Sequence, residues 1–267
     1  MLPGATASTR APERRATDAG RPPAGGPYTR PVATLDRRLQ LDPPGFWWRA
    51  VSPVAALLAA VVGSGMVVLP LALTPVGEDG LLALAQFAMS LLIVVFGSLL
   101  LRALPDLDRR AAFAAKGRAL GSVGIGLAGG VALVIGSVVI IMIGLALDPS
   151  VDDALDDAAL EFEPAVWQTA LLVVSLVVLA PLGEELVFRV LLLRALVRRL
   201  RFWPAALVSG ALFAAAHPDG YLAWPRAVAL VASGVVLAWL YRERGYPAAV
   251  TAHLTLNSIA AISVAAS

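Results

Sequence analysis

The chain has 267 residues, of which 58% are hydrophobic, and its mean hydropathy is +0.78. Soluble domains are usually about 45–50% apolar, so this composition excludes an ordinary soluble protein and indicates several membrane spans. The absence of cysteine excludes disulfides, thiolate metal sites and cysteine nucleophiles. The formal charge is +2, and the basic residues, almost all arginine, lie in patches between apolar segments. Such patches indicate membrane orientation rather than nucleic-acid binding.

The first 45 residues differ in composition from the rest of the chain. Residues 1–45 are rich in Pro, Gly, Ala and Arg and contain no apolar segment of the kind that signal peptides carry. They are predicted to form a disordered tail on the cytoplasmic side. Residues 46–164 are predicted to be N-terminal membrane helices, and residues 165–267 to be a membrane core with the polar motifs described below.

Seven apolar runs are predicted to span the bilayer, which takes about 20 residues per helix. They are residues 50–73, 81–101, 122–147, 165–193, 202–216, 224–240 and 248 to the C-terminus. Arginine and lysine concentrate in the N-terminal tail and in the second, fourth and sixth loops, whereas the first and third loops are acidic. The positive-inside rule therefore puts the N-terminus in the cytoplasm. The predicted fold is an all-α, polytopic helical bundle of about seven transmembrane helices in the plasma membrane.

One stretch of the fourth span carries charges inside an apolar run. Glu184, Glu185 and Arg189 lie there, and ionisable groups at membrane depth indicate a functional site. Glu185 and Arg189 are four residues apart in the order that favours a helical ion pair, which leaves Glu184 as the free carboxylate. Pro181 and Gly183 predict a kink just before the carboxylates.

The two histidines of the chain follow this stretch. Glu184 lies about 16 residues before the loop after the fourth span and His217 about 15 after it, so a tight hairpin brings them side by side. His253 and Asn257 share one helix face, although counting from Gly245 puts them somewhat nearer the cytoplasm than Glu184.

This set of side chains is suited to hydrolysis. A buried carboxylate can take a proton from water, and an imidazole can orient the same water or protonate the leaving group. The second imidazole and an asparagine amide can donate hydrogen bonds to a developing oxyanion. Two histidines and one glutamate are equally a ligand set for catalytic zinc, here Glu184, His217 and His253.

The ordered motifs resemble those of the CPBP intramembrane endopeptidases, which include the type II CAAX prenyl endopeptidase and proteins of bacteriocin self-immunity. The motifs are Glu184-Glu185-x-x-x-Arg189, Phe213-x-x-x-His217 and His253-x-x-x-Asn257. The resemblance covers the last four spans and implies a catalytic core there. The sequence departs from the family pattern at two positions. Val190 stands where a glycine often follows the arginine, and Pro218 directly follows the first histidine.

The resemblance also implies roles for the individual residues. Glu184 is expected to be the general base, with His217, and His253 and Asn257 to stabilise the oxyanion. Glu185 and Arg189 are expected to be supporting residues, with Phe213 covering one side of the His217 imidazole. No metal is expected to be obligatory, with zinc as the alternative. The expected partners are the lipid bilayer and a peptide or membrane-anchored protein substrate, prenylated or otherwise lipid-anchored, and no nucleic acid.

Two other interpretations stay open at this point. The first is a non-catalytic immunity or scaffold protein that keeps the family fold. The second is a transporter with a polar midplane site. The lack of an evident inverted repeat argues against it.

Overall fold

The fold is known from a computed structural model that describes residues 45–104, 109–157, 165–217 and 223–266. Within these ranges every regular element is helical, and the one β-bridge is an isolated pair, Ala115 with Gly245. The predicted all-α membrane bundle is therefore confirmed. The predicted N-terminal tail lies outside the described residues, apart from its last residue, and so does Pro218.

The described helices follow the apolar runs of the sequence closely. In chain order they are α1 (Phe46–Val68), α2 (Gly77–Ala103), α3 (Arg109–Phe113), α4 (Ala119–Leu147), α5 (Ser150–Asp157), α6 (Val166–Leu196), α7 (Phe202–Ala215), α8 (Trp224–Arg244) and α9 (Tyr246–Ala266). A 3₁₀ turn at Leu69–Leu73 extends α1. The short helices α3 and α5 lie in segments that the sequence assigned to loops.

Five of the described helices are long and apolar enough to cross a membrane. They are α1 with its 3₁₀ extension, α2, α4, α6 and α8. Helix α7 is apolar but has 14 residues, which is about 21 Å and less than the roughly 30 Å hydrocarbon core. Helix α9 has 21 residues but is not one of the five. The chain is thus a multi-pass integral membrane protein, and the count of seven spans stays a prediction.

Helix α6 lies at the centre of the bundle. Its second half is almost fully buried, including the apolar side chains of Val187, Phe188, Val190 and Leu192. The same core includes Ala60 of α1. An apolar helix that is buried on every side is typical of a central membrane span. This position buries the Glu185 and Arg189 side chains of the charged stretch completely.

Small residues let α4 approach α9 closely. A side chain at Gly126 would bring its Cβ within 2.7 Å of the Ala248 carbonyl oxygen, and one at Gly130 would meet the Ala252 carbonyl. Backbones this close need glycine, which membrane interfaces use for tight packing. The contact fixes α9, the helix of His253, against the bundle.

The turn between α8 and α9 is covered by the loop that precedes α4. Gly245 adopts φ +85°, a left-handed conformation that glycine accepts without strain. The Lys116 backbone N–H donates to the Arg244 carbonyl at 2.9 Å, and the Lys116 amine donates to the Arg242 carbonyl. Burial lowers the pKa of this amine. These bonds satisfy carbonyl groups at the C-terminus of α8 that lack partners within the helix.

Candidate active site

Helix α6 departs from α-helical geometry on both sides of the carboxylates. Residues Val174–Leu179 and Leu186–Leu193 are π-helical, and the α-helical turn Ala180–Glu185 lies between them. Pro181 is the second residue of that turn, and Ala180 donates its backbone N–H to the Ser175 carbonyl, five residues back. The backbone just before Pro181 is thus π-helical, and the predicted kink stays a prediction. Such π-helical segments occur frequently at functional sites.

Glu184 faces both histidines of the chain. Its Oε2 atom lies 3.8 Å from His217 Nε2 and 3.7 Å from His253 Nε2. The Glu184 side chain is 12% exposed and His217 is 27% exposed, whereas His253 is 3% exposed. Oε2 itself is buried and has no hydrogen-bond partner among the described residues. The three groups therefore converge on one small space that His217 leaves partly open.

The other ring nitrogen of each histidine contacts a fixed acceptor. His217 Nδ1 lies 2.7 Å from the Phe213 carbonyl oxygen, and His253 Nδ1 lies 3.0 Å from Glu185 Oε1. Since both partners only accept, each Nδ1 carries the proton, and in the neutral ring the lone pair is on Nε2. Both imidazoles thus present a proton acceptor to Glu184, unless one of them is charged.

Glu185 and Arg189 form a buried ion pair, as their spacing predicts. Arg189 Nε lies 3.1 Å from Glu185 Oε2, and both side chains are 0% exposed. The guanidinium also lies over the Phe213 ring at 5.2 Å and the Phe188 ring at 5.8 Å. These aromatic faces supply attraction to a cation whose nitrogens form no hydrogen bond with the described residues. Glu185 therefore links the ion pair to the His253 ring.

His253 lies at the level of Glu184, and the depth mismatch expected from counting residues is absent. The α8–α9 turn lies deeper than the α6–α7 turn, because the first residue of α9, Tyr246, already donates its hydroxyl to the Leu182 carbonyl at 3.2 Å. The residue count from Gly245 gives the wrong depth for His253, because it holds only if the α6–α7 and α8–α9 turns lie at the same level. The bond from Tyr246 to α6 could not be predicted, because nothing in the sequence indicates that the loop around Lys116 lies against the α8–α9 turn.

Asn257 makes its contact one turn further along α9. Its side-chain nitrogen donates to the Leu176 carbonyl of α6 at 2.8 Å. The amide thus joins α9 to the π-helical segment before Pro181. The sequence placed Asn257 on the same face as His253, but it offered no reason to expect this backbone partner.

Phe213 packs against several parts of the site at once. Its ring centroid lies 4.6 Å from that of His217, 5.7 Å from that of His253 and 5.2 Å from that of Phe188. The ring is 2% exposed. It therefore covers one side of the His217 imidazole, as predicted, and also separates the imidazoles from the guanidinium of Arg189.

Replacing Phe213 by leucine should lower cleavage of a substrate several-fold and reduce the free energy of unfolding by about 1–3 kcal/mol, because each lost aromatic pair contributes about 0.5–1.5 kcal/mol. The measurement is thermal unfolding in detergent together with cleavage rates. Phe96→Leu is the matched control, since Phe96 packs against the same core from α2. Equal losses of cleavage in both variants would contradict a specific role for Phe213.

The distances from Glu184 to the two histidines are somewhat longer than a bound zinc ion would need. Two ligands of a tetrahedral zinc ion lie about 3.3 Å apart when each bond is about 2.0–2.1 Å long. The Glu184 oxygen is 3.8 Å from one imidazole nitrogen and 3.7 Å from the other. In the described parts of the chain, no group of three or more His, Asp or Glu side chains is arranged to hold a metal ion. We therefore derive no step through a metal.

Comparison with known proteins bears on this same region. Residues 166–259 match the family model described as Type II CAAX prenyl endopeptidase Rce1-like. The match contains Glu184, Glu185, Arg189, Phe213, His217, His253 and Asn257. No curated protein and no solved structure matches the chain significantly. Residues 166–259, the part of the membrane bundle that carries the site, are thus similar to the type II CAAX prenyl endopeptidase family, and this match supports membership of the CPBP group that the motifs resemble.

Proposed function

We propose that the chain is an intramembrane endopeptidase in which Glu184 and His217 activate a water molecule to hydrolyse a peptide bond. One observation carries the proposal. The Nε2 atoms of both histidines face Glu184 Oε2, a buried oxygen that has no hydrogen-bond partner among the described residues. Three lone pairs that converge in this way repel one another unless a proton donor lies between them.

A water molecule meets this requirement. It can donate one hydrogen to Glu184 Oε2 and the other to His217 Nε2, while a lone pair on its oxygen remains free. This oxygen attacks the carbonyl carbon of the substrate as Glu184 takes the proton. When the peptide C–N bond breaks, the same proton goes to the leaving nitrogen. The products are one carboxyl group and one amine.

The remaining residues have separate roles in the proposal. The reacting form carries one more proton, on His253 Nε2, so that Glu184 and His217 alone accept from the water. His253 then donates from Nε2 to the oxyanion of the tetrahedral intermediate, together with Asn257. Glu185 holds the His253 ring by its Nδ1 atom and stabilises the imidazolium, as a carboxylate does beside a catalytic histidine. Arg189 pairs with Glu185 on the side away from His253 Nδ1. The contacts of His253, Glu185 and Arg189 support their proposed roles, and the role of Asn257 rests on the family resemblance.

The site suits a substrate that is associated with the membrane. Glu184 and His253 lie in helices of the bundle, and His217 follows the end of α7, so we expect the scissile bond to come from the membrane or from its surface. We infer a membrane-associated peptide or protein, prenylated or otherwise lipid-anchored, as the substrate class. The protein is proposed to act in the plasma membrane, with its N-terminal side in the cytoplasm.

Cleavage of a panel of quenched-fluorescent peptides by detergent-purified protein tests the proposal. The panel includes a farnesylated CAAX peptide and the same peptide without the lipid. We expect wild-type protein to cleave at least one member and Glu184→Gln to cleave none. If a peptide is cleaved equally well by Glu184→Gln, the activity does not come from this site. If cells that carry Glu184→Gln keep the wild-type phenotype, the immunity or scaffold interpretation is favoured.

A strong chelator should leave the rate of cleavage unchanged within about twofold, because every proposed step uses side chains alone. The measurement is the initial rate after dialysis against chelator, with a second sample to which zinc is returned. Loss of activity that zinc restores would contradict the metal-free mechanism and support ligation by Glu184, His217 and His253.

A further inference from the structure

The carbonyl group of Leu176 has lost both of its helical donors. In an α-helix the donor would be Ala180, but the Ala180 N–H donates to the Ser175 carbonyl instead. In the π-helical pattern the next donor, five residues after Leu176, is Pro181, and proline has no backbone N–H. An unsatisfied carbonyl is costly at membrane depth, where water is absent. Leu176 therefore needs a donor from outside α6.

Asn257 supplies that donor. Its Nδ2 atom lies 2.8 Å from the Leu176 carbonyl oxygen. An amide nitrogen carries two N–H groups, so one can bond to Leu176 while the second remains available. The bond also fixes which end of the amide is nitrogen, since a carbonyl oxygen can only accept. A side chain with two rotatable bonds is thereby held in one orientation one turn away from His253.

We propose that Pro181 is a positioning residue for Asn257. By leaving the Leu176 carbonyl without a backbone donor, Pro181 creates the acceptor that anchors the Asn257 amide and leaves its second N–H for the oxyanion. The effect on catalysis rests on the proposed function, whereas the anchoring itself does not. If residue 181 has a backbone N–H, that group should bond to the Leu176 carbonyl. The carbonyl then no longer needs a hydrogen bond from Asn257.

A double-mutant cycle on thermal unfolding tests the anchoring without a substrate. The four proteins are wild type, Pro181→Ala, Asn257→Ala and the double variant, all in the same detergent. We expect Asn257→Ala to lower the unfolding midpoint by several degrees when Pro181 is present, and by much less in the Pro181→Ala background, because the restored backbone N–H then bonds to Leu176. Asn257→Leu, which keeps the size of the side chain but has no hydrogen-bond donor, should follow the same pattern. Additive shifts in the midpoint would overturn the proposal.

Two controls separate anchoring from general effects. Pro53→Ala restores a backbone N–H at another buried proline inside a membrane helix, and it should not couple to Asn257→Ala. Ser258→Ala removes a hydroxyl that bonds within α9, to the Leu254 carbonyl at 2.7 Å. It should lower the midpoint equally in wild type and in the Pro181→Ala background. Coupling of either control of the same size as the Pro181–Asn257 coupling would overturn the proposal.

Cleavage rates extend the same cycle to catalysis. We expect Asn257→Ala to lower kcat by about 10²-fold, the usual loss for one oxyanion donor, and Pro181→Ala to lower kcat by about tenfold with KM nearly unchanged. The double variant should be no slower than Asn257→Ala alone. If the unfolding midpoints of the Pro181 and Asn257 variants are coupled but wild type cleaves no peptide, only the proposed function is overturned. Coupled midpoints with full activity of Pro181→Ala would overturn the positioning role.

Discussion

Glu185→Gln should be among the most destabilising single changes that a charged residue of this protein can suffer. The Arg189 guanidinium is 0% exposed, and Glu185 is its partner at 3.1 Å. Breaking a buried pair from one side leaves an uncompensated charge and costs about 3–5 kcal/mol. Since a protein is typically stable by about 5–15 kcal/mol, much of the variant should aggregate when it is extracted from the membrane.

The ion pair makes two further predictions about Glu185→Gln. Glu185→Gln/Arg189→Met should be more stable than Glu185→Gln alone, because it removes the unpaired charge. Glu243→Gln is the matched control, since Glu243 pairs with Arg242 at 3.4 Å but is 40% exposed, and such a pair contributes about 0–1 kcal/mol. The measurement is the unfolding midpoint by fluorescence-detected size exclusion. A midpoint for Glu185→Gln equal to that of Glu243→Gln would contradict the buried-charge account.

Replacing any one of Glu184, His217 and His253 should lower kcat by about 10²–10⁴-fold, the range that general acid–base groups contribute. Because the three act on one water and one intermediate, the losses should not multiply. His217→Ala combined with Glu184→Gln should be about as slow as the slower single variant. The measurement is kcat for a peptide that wild type cleaves, with each variant shown to be folded by its unfolding midpoint. Losses that multiply would mean that the residues act in independent steps.

The membrane helices could be read from the sequence because the apolar runs are long and the loops between them are charged. The hairpin that brings Glu184 beside His217 followed from counting residues on two helices that share one turn. The ion pair of Glu185 and Arg189 followed from their spacing within one helix. Each of these predictions needs only local geometry along α6 and α7.

Other features depend on contacts between distant segments and could not be predicted. The depth of His253 depends on the α8–α9 turn, which lies on the loop around Lys116, more than a hundred residues away in the sequence. The bond from Asn257 to Leu176 depends on a π-helical register that Pro181 alone does not specify. The polar patterns therefore named the residues of the site, whereas their partners depend on how α9 packs against α6.

The most direct test of the central claim is peptide hydrolysis in heavy-oxygen water by wild type, Glu184→Gln and Glu243→Gln, with mass spectrometry of the products. The account predicts one heavy oxygen in the new carboxyl terminus for wild type and for Glu243→Gln, and no product above background for Glu184→Gln that unfolds at the wild-type temperature. Product formation by folded Glu184→Gln at a rate near that of wild type would contradict the assignment of Glu184 as the base that activates water.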